Sequence, residues 1–111
     1  MYYYAMTEDW NNKISQRLFA ALLKPKTIEE MAAFCRDLMT EPEIKEFAGR
    51  WEVAQLLDAQ YSQRQVAAKT GVSLATVTRV NQWLLRGMGG YKLVLGRIGH
   101  KHHTLSADAA S

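Results

Sequence analysis

The 111-residue sequence has little of what disulfide-bonded, metal-binding or membrane proteins need. Its single cysteine, Cys35, excludes an intrachain disulfide and a cysteine metal cluster, and its apolar neighbours predict a buried structural thiol. No apolar run approaches the length of a membrane-spanning helix. The first ten residues lack a basic region followed by an apolar core, so we expect no secretory signal, no membrane partner and a cytoplasmic location.

The sequence also lacks the patterns on which catalysis depends. It has no glycine-rich phosphate loop, no paired-carboxylate signature and no nucleophile beside a plausible base. Clustered imidazoles can bind Zn or Ni, but His100, His102 and His103 have no cysteine or carboxylate close by, and extra positive charge is their more natural use. We therefore expect no enzyme, no cofactor and no metal site.

Strand patterns are nearly absent, and frequent helix signals predict an all-α fold of six helices. The Thr27–Glu30 and Thr40–Glu43 segments are capping-box patterns that open two of them. The domain organisation predicted is an N-terminal arm over 1–7, a helical domain over 8–98 and a flexible basic and polar tail over 99–111. The expected helices cover about 8–23, 27–39, 40–59, two short helices within 62–84, and 91–98.

Acidic residues are missing from most of the second half of the chain. Between Asp58 and Asp108 there are seven lysines and arginines and no aspartate or glutamate. Residues 1–58 hold seven basic and ten acidic residues, so the whole-chain net charge of +3 conceals a strongly basic C-terminal half. Such a segment is typical of a surface that neutralises phosphates, although a solvated basic face without a partner is the alternative.

The segment from Ser62 to Leu84 is the most informative part of the sequence. Its pattern is that of a helix-turn-helix, in which Ser62 and Ser73 cap two short helices and Gly71 supplies a sharp turn. Valines and a leucine at spacings of three and four predict the inner face of the second helix: Val77, Val80 and Leu84. The polar residues left on that helix suit a DNA major groove: Thr76, Thr78, Arg79, Asn81 and Gln82.

These residues resemble the DNA-reading segment of the tryptophan repressor family over 62–79. The segments 50–57, 78–81 and 89–91 are more similar to its YerC/YecD-type branch. The resemblance implies a six-helix, intertwined homodimer that regulates transcription in bacteria by binding operator DNA, as a repressor. Apolar residues on more than one side of several helices also favour a homodimer, because a chain of this size has few places to bury them. Half-sites about 34 Å apart would then require two copies on double-stranded DNA.

The resemblance also suggests which residues contact DNA. Gln63 and Arg64 match positions at the operator backbone or nearby bases, and Leu74, Ala75 and Thr78 match positions at base edges. The chemistry agrees, because alanine and threonine methyls can touch thymine methyls while arginine and lysine hold phosphates. The full predicted DNA-binding set is Gln63, Arg64, Lys69, Ser73, Leu74, Ala75, Thr76, Thr78, Arg79 and Asn81.

A tryptophan pocket is predicted less well by the resemblance. Arg79 matches an arginine of the family's ligand site, and would be a ligand residue only if a corepressor exists. Val80 and Trp83 stand where the family has a small glycine and serine, and the second arginine matches Arg50 only with a slip of one residue. We therefore predict that L-tryptophan is not the corepressor, with Trp83 itself in the cavity, and leave open whether another small effector binds.

An alternative function belongs to another class. The helix-turn-helix would then be a protein-interaction or architectural module without a specific operator, its basic charge serving an acidic partner. Tyr2, Tyr3 and Tyr4 fit either function, packing on a partner subunit or stacking on nucleic acid.

Overall fold

The computed structural model describes residues 9–99, which form six helices and no strand. The helices are α1 (Lys13–Leu22), α2 (Ile28–Leu38), α3 (Glu41–Asp58), α4 (Gln63–Thr70), α5 (Leu74–Arg86) and α6 (Gly90–Arg97). The predicted all-α, six-helix fold is therefore confirmed within this range. No helix of the described range is both long and apolar enough to cross a bilayer. The predicted arm, the three histidines and all of the predicted tail except Gly99 lie outside the described residues.

The chain divides into two compact units, Met1–Ile44 and Lys45–Ser111, whose described parts are 9–44 and 45–99. We call them the N-terminal unit and the C-terminal unit. The N-terminal unit holds α1, α2 and the first residues of α3. The C-terminal unit holds the rest of α3 and the helices α4, α5 and α6.

Helix α1 begins five residues later than the sequence pattern predicts. The side chain of Asn12 accepts hydrogen bonds from the backbone N–H groups of Ile14 and Ser15, at 2.9 and 3.1 Å. The Ser15 hydroxyl in turn accepts the Asn12 N–H at 2.8 Å. This reciprocal capping box satisfies free N–H groups at the start of α1. Trp10 therefore lies before the helix, and its ring is 6.2 Å from that of Phe19, edge to face.

The two predicted capping boxes that open α2 and α3 differ in completeness. Thr27 accepts the Glu30 N–H at 3.0 Å, but the Glu30 carboxylate accepts the N–H of Lys26, one residue before the expected partner. The Thr40–Glu43 box is complete, with bonds of 2.8 and 3.3 Å. The Thr40 backbone N–H and hydroxyl both donate to the Glu43 carboxylate, and they lower its pKa because they stabilise the charged form.

The described helices α1 and α2 contain no buried residue. Some of their apolar side chains are half-buried, such as Leu18 and Phe34, whereas others are exposed, from 38% for Phe19 to 84% for Ile28. Cys35 is free and half-buried, so the expectation of a buried thiol is met only in part.

The C-terminal unit contains the buried core. Five side chains from α3, α4 and α5 have no exposed surface: Val53, Ala54, Val66, Val77 and Val80. Leu84 and Leu95 are also buried. The predicted inward face of α5 is confirmed. On α3, Val53 and Ala54 lie in the core, whereas Phe47 is 45% exposed.

Candidate nucleic-acid interface

The helix-turn-helix is formed by α4, a three-residue turn and α5. Ser62 and Gln65 form a capping box at the start of α4, with bonds of 2.8 and 3.1 Å. Gly71 ends the helix at φ +77°, a left-handed conformation that side chains rarely adopt, and its N–H bonds to the Ala67 carbonyl. The turn is further held by the Thr70 hydroxyl, which accepts the Val72 N–H at 3.1 Å.

Helix α5 presents its polar side outward because its apolar side is anchored in the core. Val77, Val80 and Leu84 are buried, and Ser73 caps the helix by accepting the Thr76 N–H at 3.2 Å. The predicted contact residues of α5 fall into two groups by the exposure of their side chains. Leu74, Ala75 and Arg79 are exposed, while Thr76, Thr78 and Asn81 are half-buried.

A chain of side-chain hydrogen bonds runs along the exposed first turn of α5. The Ser73 hydroxyl donates to the Thr76 hydroxyl at 3.1 Å, and the Arg79 guanidinium donates to the same oxygen at 3.3 Å. These bonds hold the Arg79 side chain back along its own helix, toward the N-terminal end that enters the groove in other helix-turn-helix proteins.

One side-chain hydrogen bond joins α4 to α5, the two helices of the motif. The Thr78 hydroxyl donates to the side-chain oxygen of Gln63 at 2.8 Å, across 15 residues of sequence. Both side chains are half-buried. The predicted contact residues Gln63 and Thr78 therefore form one pair, which neither spacing nor composition had indicated.

The cations that follow Asp58 in the described part of this unit lie in a segment without acidic residues. Arg64 is exposed near the start of α4, and the Lys69 ammonium lies 4.9 Å from the centre of the Tyr61 ring. Arg86, Lys92 and Arg97 are exposed on α5 and α6, and residues 59–99 contain no aspartate or glutamate. All ten predicted DNA-contact residues lie on α4, on α5 or at the Ser73 cap, and their contacts with DNA stay a prediction.

Comparison with known proteins places this arrangement in a family. The family model described as Trp repressor protein matches residues 13–98, which contain all six helices. The chain belongs to the Trp repressor family. The expectation drawn from the sequence resemblance is thus confirmed, and with it a fold of DNA-binding, helix-turn-helix regulators.

Three known proteins resemble the chain over most of its length. The uncharacterized protein YerC of Bacillus subtilis strain 168 is 37% identical over 82 residues, which cover 74% of this chain and 79% of YerC. A TrpR-like protein from Eubacterium eligens superposes with a TM-score of 0.76 at 37% identity, covering 80% of this chain and 92% of its own. A candidate Trp repressor from Staphylococcus aureus gives 0.78 at 30% identity, covering 83% and 92%.

The structure of this Trp repressor family member adds Arg50 to the residues around α5. Its guanidinium carbon lies 5.4 Å from the ring centres of both Phe47 and Trp83, and it forms a 2.7 Å ion pair with Glu46. The Arg50 Nε is buried and has no hydrogen-bond partner among the described residues. The four-residue spacing of Glu46 and Arg50 was a readable helical signal, whereas the contact with Trp83 arises only in the folded chain.

An open apolar depression of about 610 Å³ lies beside Trp83 within the C-terminal unit. Trp51 and Tyr91 line it and stack on each other, with ring centres 6.3 Å apart. Burial raises the pKa of the Tyr91 hydroxyl. Trp83 is 41% exposed and forms one wall of the depression rather than filling it. Val80, which the resemblance put beside a ligand, lies in the core with no exposed surface.

No group of histidine, cysteine, aspartate or glutamate side chains within residues 9–99 is arranged to hold a metal ion. The sequence expectation about His100, His102 and His103 concerns residues outside that range.

Proposed function

We propose that this protein is a sequence-specific transcriptional regulator, a repressor, that binds operator DNA in the cytoplasm as a homodimer. The observation that carries the proposal is the orientation of α5. Its buried side is fixed by Val77, Val80 and Leu84, and its threonines and Arg79 remain at or near the surface. The segment around α5, residues 59–99, has lysines and arginines but no aspartate or glutamate.

The ten predicted residues divide by their chemistry into two roles. Leu74, Ala75 and Thr78 would face base edges, because methyl groups contact thymine and hydroxyls bond to bases. The cations Arg64, Lys69 and Arg79 would bind phosphates and set the register of the protein on the duplex. The remaining polar residues, which are Gln63, Ser73, Thr76 and Asn81, would supply neutral hydrogen bonds around both.

The homodimer is supported by apolar surface that the single chain leaves exposed. Described residues of the N-terminal unit, such as Trp10, Ile14 and Leu38, are 46–59% exposed, and none of that unit's described helices contains a buried residue. In the C-terminal unit the depression beside Trp83 is likewise apolar. Large apolar side chains left exposed in a single chain are often covered at an interface. Two copies would place two α5 helices on half-sites about 34 Å apart.

We also propose that L-tryptophan is not the corepressor. The support is that Trp83 forms a wall where the family resemblance puts a small pocket residue, and that Val80 faces the core. Isothermal titration of the protein with L-tryptophan is expected to show no binding at micromolar concentrations. Micromolar binding would overturn this part of the proposal.

The decisive experiment is selection of bound sequences from a random DNA pool, with and without added amino acids. We expect a motif with two-fold symmetry, and a mobility shift of that motif that weakens steeply between low and high salt. Binding with a steep salt dependence but no enriched motif would instead show an architectural binder. Absence of any shift would show an interaction module.

The variant Thr78→Ala sharpens the same experiment. It is expected to weaken binding to the selected motif by about 1 kcal/mol or more while changing binding to random DNA little, because a base contact carries specificity. Equal losses on both DNAs would contradict base readout by Thr78.

A further inference from the structure

The hydrogen bond between Thr78 and Gln63 fixes which atoms this pair can offer to DNA. The Thr78 hydroxyl donates its only hydrogen to the Gln63 side-chain oxygen, at 2.8 Å. A hydroxyl whose hydrogen is engaged can still accept through its lone pairs. The Gln63 amide, with its oxygen on Thr78, carries its two hydrogens on the other arm of the side chain.

The two side chains thus form a pair in which the hydrogen-bonding role of each free group is fixed. The Thr78 Oγ1 is an acceptor, and the Gln63 Nε2 is a donor. The bond joins the first residue of α4 to α5, so each helix of the motif contributes one of the two groups. Because both side chains are half-buried, a base that fails to match them would leave a polar group poorly hydrated, which raises the cost of a mismatch.

Adenine and guanine differ in how well they match such a pair. In the major groove adenine offers N7 as an acceptor beside N6 as a donor, whereas guanine offers two acceptors, N7 and O6. A protein donor beside a protein acceptor complements adenine. Against guanine, the Thr78 oxygen would face a second acceptor.

We propose that the Gln63–Thr78 pair selects adenine over guanine at one position of each operator half-site, with Gln63 both positioning Thr78 and donating to the base. The inference rests on the proposed function, since it assigns a base preference to the same reading surface. Gln63 and Thr78 read the base together, and neither does so when the bond between them is lost.

The test is selection from a random DNA pool with the full chain and four variants. Thr78→Val replaces the hydroxyl by a methyl of similar size and is expected to reduce the preference for adenine over guanine at one position about tenfold. Thr78→Ser keeps the hydroxyl and is expected to retain that preference. Thermal unfolding followed by circular dichroism, and binding to random DNA, establish that both variants are folded.

The third and fourth variants test the role of Gln63. In Gln63→Glu the carboxylate still accepts the Thr78 hydroxyl but presents an acceptor in place of the amide donor. The preferred base is then expected to shift at the same position from adenine toward cytosine, whose N4 donates. Gln65→Glu makes the same charge change at an exposed position of α4, keeps an oxygen that accepts the Ser62 N–H, and is expected to leave that base preference as it is.

The outcomes separate the inference from the function on which it rests. If the unaltered protein enriches a motif and Thr78→Val leaves every base preference unchanged, the inference is overturned and the regulator function stands. The same holds if the position that responds to Thr78→Val and Gln63→Glu carries guanine in the original motif. If the unaltered protein enriches no motif, the proposed function fails first.

Discussion

The two units of this chain are both helical, yet they differ in where their apolar side chains lie. In the described part of the C-terminal unit, five side chains from three helices have no exposed surface. In the described part of the N-terminal unit, α1 and α2 also begin with side-chain caps, yet they contain no buried residue. Good caps and an amphipathic pattern therefore form a helix, whereas a core requires facing helices. The exposed apolar side chains of the N-terminal unit are the surface that a second copy would cover if the proposed homodimer forms.

The largest effect is expected from truncating the core of the C-terminal unit. Leu84→Ala removes a buried side chain and is expected to lower the free energy of unfolding by about 3 kcal/mol, through lost burial and a residual cavity. Leu85→Ala, at the adjacent and 60% exposed position, is the matched control and is expected to change it by less than about 0.5 kcal/mol. Urea unfolding of both variants measures the difference. Similar losses would show that Leu85 is covered in the assembly.

The second-largest effect is expected from a charge placed in the N-terminal unit, and it tests whether this unit forms part of a dimer interface. Phe19→Glu places a carboxylate at an apolar position that is 38% exposed in the single chain. If a second copy covers Phe19, dimer association is expected to weaken by about 2 kcal/mol, as for aromatic residues at interface centres. Sedimentation equilibrium measures the change, with Lys13→Glu as a control at an exposed polar position of α1. An unchanged dimer would place the interface elsewhere.

A smaller effect on DNA binding is expected from removing a single arginine, and it should depend on which unit the arginine belongs to. Arg64→Ala is expected to weaken both specific and random DNA binding by about 1 kcal/mol and to reduce the salt slope by about one, because a phosphate contact is lost. Arg17→Ala removes an exposed arginine of the N-terminal unit and is expected to do neither. Mobility shifts at several salt concentrations distinguish the two variants. Equal effects would mean that DNA contacts extend to α1.

The smallest effect concerns pH and the start of α3. The pKa of Glu43 lies below its usual value of 4.5 because the backbone N–H and hydroxyl of Thr40 donate to its carboxylate. A lowered pKa in the folded state contributes stability that is present above the unfolded pKa and lost as the pH falls through the folded one. Glu43→Gln is expected to remove this part of the acid destabilisation.

Thr40→Val serves as the companion variant for Glu43. It keeps the backbone N–H, the larger cause of the shift, and removes the hydroxyl, so it is expected to remove only a fraction of the pH dependence. Thermal unfolding between pH 3 and 7 follows both variants. A pH dependence unchanged in Glu43→Gln would assign the acid sensitivity to other carboxylates.

Local signals in the sequence were sufficient to predict the helix-turn-helix. Ser62, Gly71 and Ser73 act through their nearest neighbours, and Val77, Val80 and Leu84 follow a regular helical spacing, so each could be placed without knowing the rest of the fold. Helix α1 was predicted to begin too early because Glu8 and Trp10 continue its pattern, and a competing cap at Asn12 decided the outcome.

Contacts between distant residues could not be predicted in the same way. The bond from Thr78 to Gln63 depends on the angle between α4 and α5, and the contact of Arg50 with Trp83 depends on how α3 passes α5. The burial of both Val53 and Ala54 is another such case, because two adjacent residues of α3 enter the core together. The spacing of residues in the sequence gives neither the angle between two helices nor how deeply a helix is buried.

Gly87, which follows the last residue of α5, has a consequence for how this protein can change during evolution. A β-carbon built there would lie 2.4 Å from the Trp83 carbonyl oxygen, too close for any other amino acid without movement of the backbone. Helix α5 therefore has a fixed end at Gly87 and the Ser73 cap at its start. Exposed side chains between these two residues can be exchanged without disturbing either end, whereas a change in the length of α5 would require a different connection to α6.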